Sequence, residues 1–334
     1  MKRWREIFRF LISLQLLPAL ESGEETTLVG GQAVVEGVMM RGDQSWAVAV
    51  RMPETGDIKV ELHQAPRWSD KYAKIPILRG VMALAESLSL GFKALTWSAN
   101  QQMPEEDQIS SRAMGWTIGF SLALFTGLFI LMPALAANSL GGGLGLDGFW
   151  FHVAEGAVRL GIFLGYLLLI GLIPDIKRVF QYHGAEHKAI AAYENDVELT
   201  AESAQRFSTE HVRCGTNFLL TVMVMTIVVY SFVGRPGWLL LIGSRIVLIP
   251  LIAGLSYEVI RFAARHMQRR WVRILMKPGL ALQRLTTREP TLDQVEVAVT
   301  SLRAVLTAEQ LAEVEARSEV AATAVPPRAA FEPA

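Results

Sequence analysis

A single cysteine, Cys214, is all the sulfhydryl chemistry that 334 residues carry. Its isolation excludes an intramolecular disulfide and a zinc cage built from cysteine alone. Net charge is missing too, since 32 Lys and Arg balance 32 Asp and Glu and charged residues make up only 19% of the chain. No global basic field therefore points to nucleic acid as a partner. The glycines of Gly30–Gly42 lead to no Lys-Ser/Thr ending and do not have the dinucleotide spacing, so phosphate binding has little support. No internal repeat is evident, and four short spans without one offer little to a transporter.

What the chain has is hydrophobic residues, 51% of it, gathered into blocks from which charge is absent. Trp116–Ala137, Val158–Ile173, Asn217–Val233 and Trp238–Leu255 have the length and apolarity of bilayer spans, the second short and the fourth interrupted by Arg245. The loop Asn138–His152 has no Lys or Arg. The stretch Asp175–Thr216 holds Lys177, Arg178, Lys188, Arg206 and Arg213, and six more cations follow the fourth block between Arg261 and Lys277. Cations are retained on the cytoplasmic side, so both ends and the central loop are placed there. The chain reads as a multi-pass protein of the bacterial inner membrane, with the lipid bilayer as a partner and a homo-oligomer or membrane protein as a further one.

The fold class expected is a mainly α membrane protein of about four transmembrane helices, with amphipathic cytoplasmic helices and a small β-hairpin near the N-terminus. Residues 1–28 read as a basic amphipathic arm, because Arg9 interrupts the apolar stretch after it and no cleavage site follows Pro18. Residues 29–112 form a cytoplasmic region. In it Trp46–Arg51 and Ile58–Leu62 alternate as a hairpin about the turn Pro53–Asp57, and Leu78–Trp97 repeats apolar residues at helical spacing. Gly30–Gly42 reads as a buried turn in which Gln32, Glu36 and Arg41 satisfy one another. Residues 113–257 are the bundle, with the cytoplasmic loop 175–216. Residues 258–317 are cytoplasmic helices, Glu258–Met276 ended by Pro278-Gly279 and then Thr291–Ala316. Residues 318–334 form an Ala- and Pro-rich disordered tail.

Chemistry concentrates at His183-Gly184-Ala185-Glu186-His187, which fits H-x-x-E-H. Asp175 as N-cap and a proline-free Ile176–Tyr193 place it on a helix, where histidines four apart share one face and can ligate one metal, zinc being the expected ion. Glu186 sits one step round, where a base that activates water belongs. A third ligand is needed. Glu258, 71 positions after His187, is the first choice, and His211 and Cys214 are the alternatives. Arg213 is available to stabilise a developing oxyanion.

The segments Gly30–Gly42, Lys74–Val81, Ile173–Glu194, Arg213-Cys214-Gly215-Thr216 and Glu289–Leu306 together resemble the bacterial YqhQ-like family, domain of unknown function 1385, over about Val29–Leu306. The resemblance implies membrane topology and, since the family is described as predicted metal-dependent membrane enzymes, a metal-dependent hydrolase. The competing expectation is a non-catalytic scaffold or assembly factor with a structural metal site or polar network.

Overall fold

The computed structural model describes residues 29–104, 106, 108, 110–144, 148–211, 214–234, 237–266 and 268–323. The arm 1–28, Arg213 and the end of the tail, 324–334, lie outside them.

The N-terminal region is a four-stranded antiparallel meander rather than one hairpin: β1 (Gly30–Val34), β2 (Gly37–Arg41), β3 (Ser45–Arg51) and β4 (Ile58–Gln64), in that spatial order. The expected hairpin is β3–β4, with Arg51 opposite Ile58. The glycine-rich stretch read as a buried turn is β1–β2, closed by Val35-Glu36 with Glu36 at a φ of 51°. Gln32, Glu36 and Arg41 do not satisfy one another. Glu36 takes Arg178 and the Tyr182 hydroxyl, Arg41 reaches Glu86 and the Pro66 carbonyl, and Gln32 abuts Gly91. Gln32 and Arg41 share one face of the sheet but meet residues 91 and 86 there, whereas Glu36, in the turn, reaches residues 178 and 182.

Both faces of the sheet are covered, which is why β2 and β3 read as nearly continuous apolar runs. Val38, Met40, Ala47 and Ala49 pack against α5 (Pro174–Glu194) and α11 (Leu292–Val305). Met39, Trp46, Val48 and Val50 pack against Leu90 and Ala94 of α1 (Leu78–Gln101). Glu86 of α1 is fully buried on Arg41 and the Ser69 N–H, so this helix belongs to the sheet layer and is not among the helices long and apolar enough to cross a membrane.

Three helical stretches do have that length and apolarity: Gly115–Ser139, Gly148–Ile170 and Gly215–Val233. The first joins α2 (Ser111–Thr126) to α3 (Met132–Leu144) through a π-turn at Gly127–Leu131, and the others are α4 (Gly148–Ile170) and α7 (Gly215–Val233). A fourth exists if α8 (Trp238–Val247) and α9 (Ile249–Arg265), bent by 44°, count as one. The loop expected at Asn138–His152 shrinks accordingly. Helix α4 starts about three turns before the apolar block does, because His152, Glu155 and Arg159 are buried inside the bundle. Glu155 accepts from Arg159 and Arg245, Arg159 also donates to the Phe129 carbonyl in the π-turn, and the Arg245 guanidinium lies 3.9 Å over the Tyr230 ring.

Two expected helix limits change. Pro278 does not end a helix: α10 runs Arg270–Thr286 with Pro278 on its exposed side, and the break falls earlier, after α9. Thr291–Ala316 is two helices, α11 and α12 (Ala308–Thr323), parted where the Thr307 side chain caps the Gln310 N–H. Helix α12 carries the ordered chain through residues 318–323, the start of the expected tail. Between α5 and α7 lies the short helix α6 (Ala201–Ala204).

Candidate metal centre

Helix α5 carries the motif, and its start is set by proline rather than by Asp175. Pro174 occupies the first turn with Ile173 as N-cap, a position where the missing N–H costs nothing. The helix then buries one side against β1 and β2, which presents His183, Glu186 and His187 to the edge of the sheet.

Each histidine ring is oriented by a backbone carbonyl. His183 Nδ1 lies 2.9 Å from the Thr286 carbonyl oxygen and His187 Nδ1 lies 2.5 Å from that of Thr209. A carbonyl accepts only, so both Nδ1 atoms carry a proton, and Nε2 is the atom of each ring left to offer a lone pair to a metal. His183 Nε2 is 3.3 Å from Cys214 Sγ, and ligand atoms of His183, His187 and Cys214 all lie within 4.8 Å of one another. Tetrahedral ligand atoms about one zinc stand roughly 3.3–3.7 Å apart, so a small inward movement suffices. Cys214 is the N-cap of α7, at the positive end of that helix's dipole, and the Thr216 hydroxyl donates to its sulfur at 3.4 Å. Burial pushes the His187 imidazole below its usual range, toward the neutral form.

Glu186 is the fourth wall. Burial pushes its carboxyl above the ordinary range, opposed by His183, by His211 and by the Gly31 N–H. Gly31 lies so close that a Cβ there would stand 2.7 Å from Glu186 Cγ, so any larger residue would have to displace the Glu186 side chain. A cavity of about 120 Å³ opens among Gly30, Gly31, Glu186, His211 and the three converging residues. A second, of about 240 Å³, adjoins it across the same two glycines and reaches Gln32, Arg41 and Leu90.

Residues 75–308 match the family model described as protein of unknown function, DUF1385. The chain belongs to that family. The uncharacterized protein YqhQ of Bacillus subtilis (strain 168) is 36% identical over 307 residues, covering 85% of this chain and 94% of the relative. No solved structure matches. The DUF1385 segment runs from before α1 to the end of α11 and so contains all three converging side chains, whereas Gly30 and Gly31 precede it.

Of the residues singled out in the sequence, His183, His187, Glu186 and Cys214 come together. Glu258 does not join them. It lies on α9, where its carboxylate takes the Arg79 guanidinium and the Ile77 N–H, the latter at 3.2 Å. Ile77 sits at a φ of 68°, a strained setting for a β-branched residue, and Glu258 holds that first turn of α1 in place. His211 lines the cavity but turns its Nε2 to Glu194 at 3.1 Å. Its backbone is gripped at both ends by the buried Gln283 amide, which accepts from the His211 N–H and donates to its carbonyl, each at 2.8 Å. Gln283, Thr286 and Thr209 carry no sequence signal of this role. Glu258→Gln is expected to leave bound metal at the wild-type stoichiometry while loosening α1 by about 1 kcal/mol, the scale for a partly exposed pair. Elemental analysis of the purified variant beside its melting curve checks both, and metal loss would return Glu258 to the ligand set.

Proposed function

We propose that the protein is a metal-dependent hydrolase of the bacterial inner membrane, with its site on the cytoplasmic side. The observation that carries the reading is the convergence of two Nε2 lone pairs and the Cys214 sulfur beside a buried Glu186. A two-histidine, one-cysteine set suits zinc and leaves a coordination position on the cavity side, as a catalytic site requires. A divalent ion there supplies Lewis acidity and acidifies water. Glu186, buried beside the position such an ion would take, would be the group that accepts a proton. The membrane reading rests on the apolar helices and on the cations of the loop 175–216 and of α9–α10.

The test is metal content and function together. Protein purified without chelator is expected to hold about one zinc per chain by elemental analysis, a stoichiometry set by the single tetrahedral ligand set. His183→Ala and Cys214→Ser should lose it. Glu186→Gln should keep the metal yet fail to complement a strain lacking the gene. If Glu186→Gln complements while the ligand variants do not, the site is structural and ties α5 to α7 and α10. If the wild type binds no metal, the hydrolase reading ends.

A further inference from the structure

Helix α10 has three faces, and only one is explained by packing within the chain. Val272, Gly279, Gln283 and Thr286 form the buried stripe. Trp271, Ile274 and Leu275, spaced i, i+3 and i+4, form a second stripe that is 52%, 56% and 64% exposed. Arg270, Arg273 and Lys277 form a third, also exposed, whose side chains have no ion pair or hydrogen bond among the described residues. Large apolar groups left in water beside unpaired cations are costly in solution and suited to a membrane surface, where the first face enters the acyl boundary and the second meets acidic headgroups.

Position agrees with composition. The Trp271 ring lies 6.4 Å from that of Phe262, which is exposed on α9, the second half of the bent pair long and apolar enough to cross a membrane. The apolar stripe of α10 therefore continues the outer surface of that pair instead of standing apart from it. Indole rings collect at this depth, and cations with flexible stems reach from it to phosphate.

We propose that α10 is an interfacial helix that lies in the cytoplasmic leaflet and recognises anionic phospholipid headgroups through Arg270, Arg273 and Lys277, with Trp271, Ile274 and Leu275 as its apolar anchor. The inference rests on the membrane reading above and on nothing about metal or hydrolysis. It has a consequence for the site. The same helix presents the Thr286 carbonyl to His183 and the Gln283 amide to His211, so the leaflet that seats α10 also fixes the height of the cavity above the headgroups.

Photo-crosslinking of the full chain in nanodiscs of equal parts phosphatidylcholine and phosphatidylglycerol tests this. Benzophenylalanine at Ile274 should give lipid adducts enriched severalfold in phosphatidylglycerol, since each cation near an anionic surface contributes a factor of about five. Arg270→Gln/Arg273→Gln/Lys277→Gln, which touches no buried group, should return the adducts to the bilayer ratio. The same photolabel at Phe232, 88% exposed on α7, reports the membrane reading separately. Lipid adducts at Phe232 with none at Ile274, or with a protein crosslink to a second copy there, would overturn the interfacial helix alone. Lipid adducts at Ile274 in the bilayer ratio would overturn headgroup recognition, and no lipid at either position would overturn both readings.

Discussion

Glu155→Leu should destabilise the helical bundle by about 3–5 kcal/mol, the cost of leaving a buried charge without its partner. One carboxylate serves two guanidiniums. Glu155 accepts from Arg159 at 2.7 Å and from Arg245 at 3.0 and 2.6 Å, with side chains 1%, 8% and 0% exposed. Removing it strands both cations in an apolar interior, whereas Arg245→Met leaves Glu155 still paired with Arg159 one turn along α4. The expected order of damage is therefore Glu155→Leu, then Arg245→Met. Glu155→Gln should fall below the first because its amide oxygen still accepts. Thermal unfolding in detergent, followed by the loss of the monodisperse peak, measures the order. A Glu155→Leu protein within about 1 kcal/mol of wild type would mean that the cluster is hydrated and does not behave as a buried network.

Gly184→Ala is expected to weaken the metal centre and the fold together, although alanine favours a helix over glycine by about 1 kcal/mol. A Cβ at Gly184 would stand 2.3 Å from the Arg288 carbonyl oxygen and 3.1 Å from Thr209 Cγ2. The first contact is with backbone, so the chain after α10 must move, and with it the Thr286 carbonyl that orients His183. The second presses on Thr209, whose carbonyl orients His187. One methyl group disturbs both anchors. Overpacking of this kind costs about 1–3 kcal/mol, and loss of such supporting contacts lowers metal affinity by about 10–100-fold. Competition with a chromophoric chelator and a melting curve measure the two effects. A variant that binds zinc as tightly as wild type and melts no lower would refute the crowding.

Some of this was legible in the chain and some was not, for reasons that differ by residue. Hydropathy found the apolar helices because solvent selects composition over whole segments, and the four-residue spacing of His183 and His187 placed them together because helix geometry is local. Cys214 stood only as an alternative to Glu258. Glu258 stands apart from the cluster because the partner that claims it, Arg79, lies on α1, and nothing in the neighbourhood of either residue reveals the pairing. The carbonyls of Thr209 and Thr286 were invisible for a simpler reason: any residue type supplies one. In β1–β2 glycine was read as turn chemistry, but at Gly31 it serves the close approach of a strand edge to Glu186. Glu155, Arg159 and Arg245 marked two helices as marginal spans when judged singly. Taken together they are what joins those helices.

Lys188 bears on how the proposed centre would fill. Its side chain, 3% exposed, spends its three donors on the Gln205 and Phe207 carbonyls and on Glu289, at 2.8, 2.7 and 2.8 Å. It thereby fastens the segment after α6 to the very helix that carries both histidines, a few residues short of Cys214. The three donor atoms stand on a scaffold held by bonds that involve no metal. Such a site would behave like a rigid macrocycle and not like a zinc finger that folds around its metal, with the ordering of the chain preceding capture and the fit of the ring contributing to the affinity.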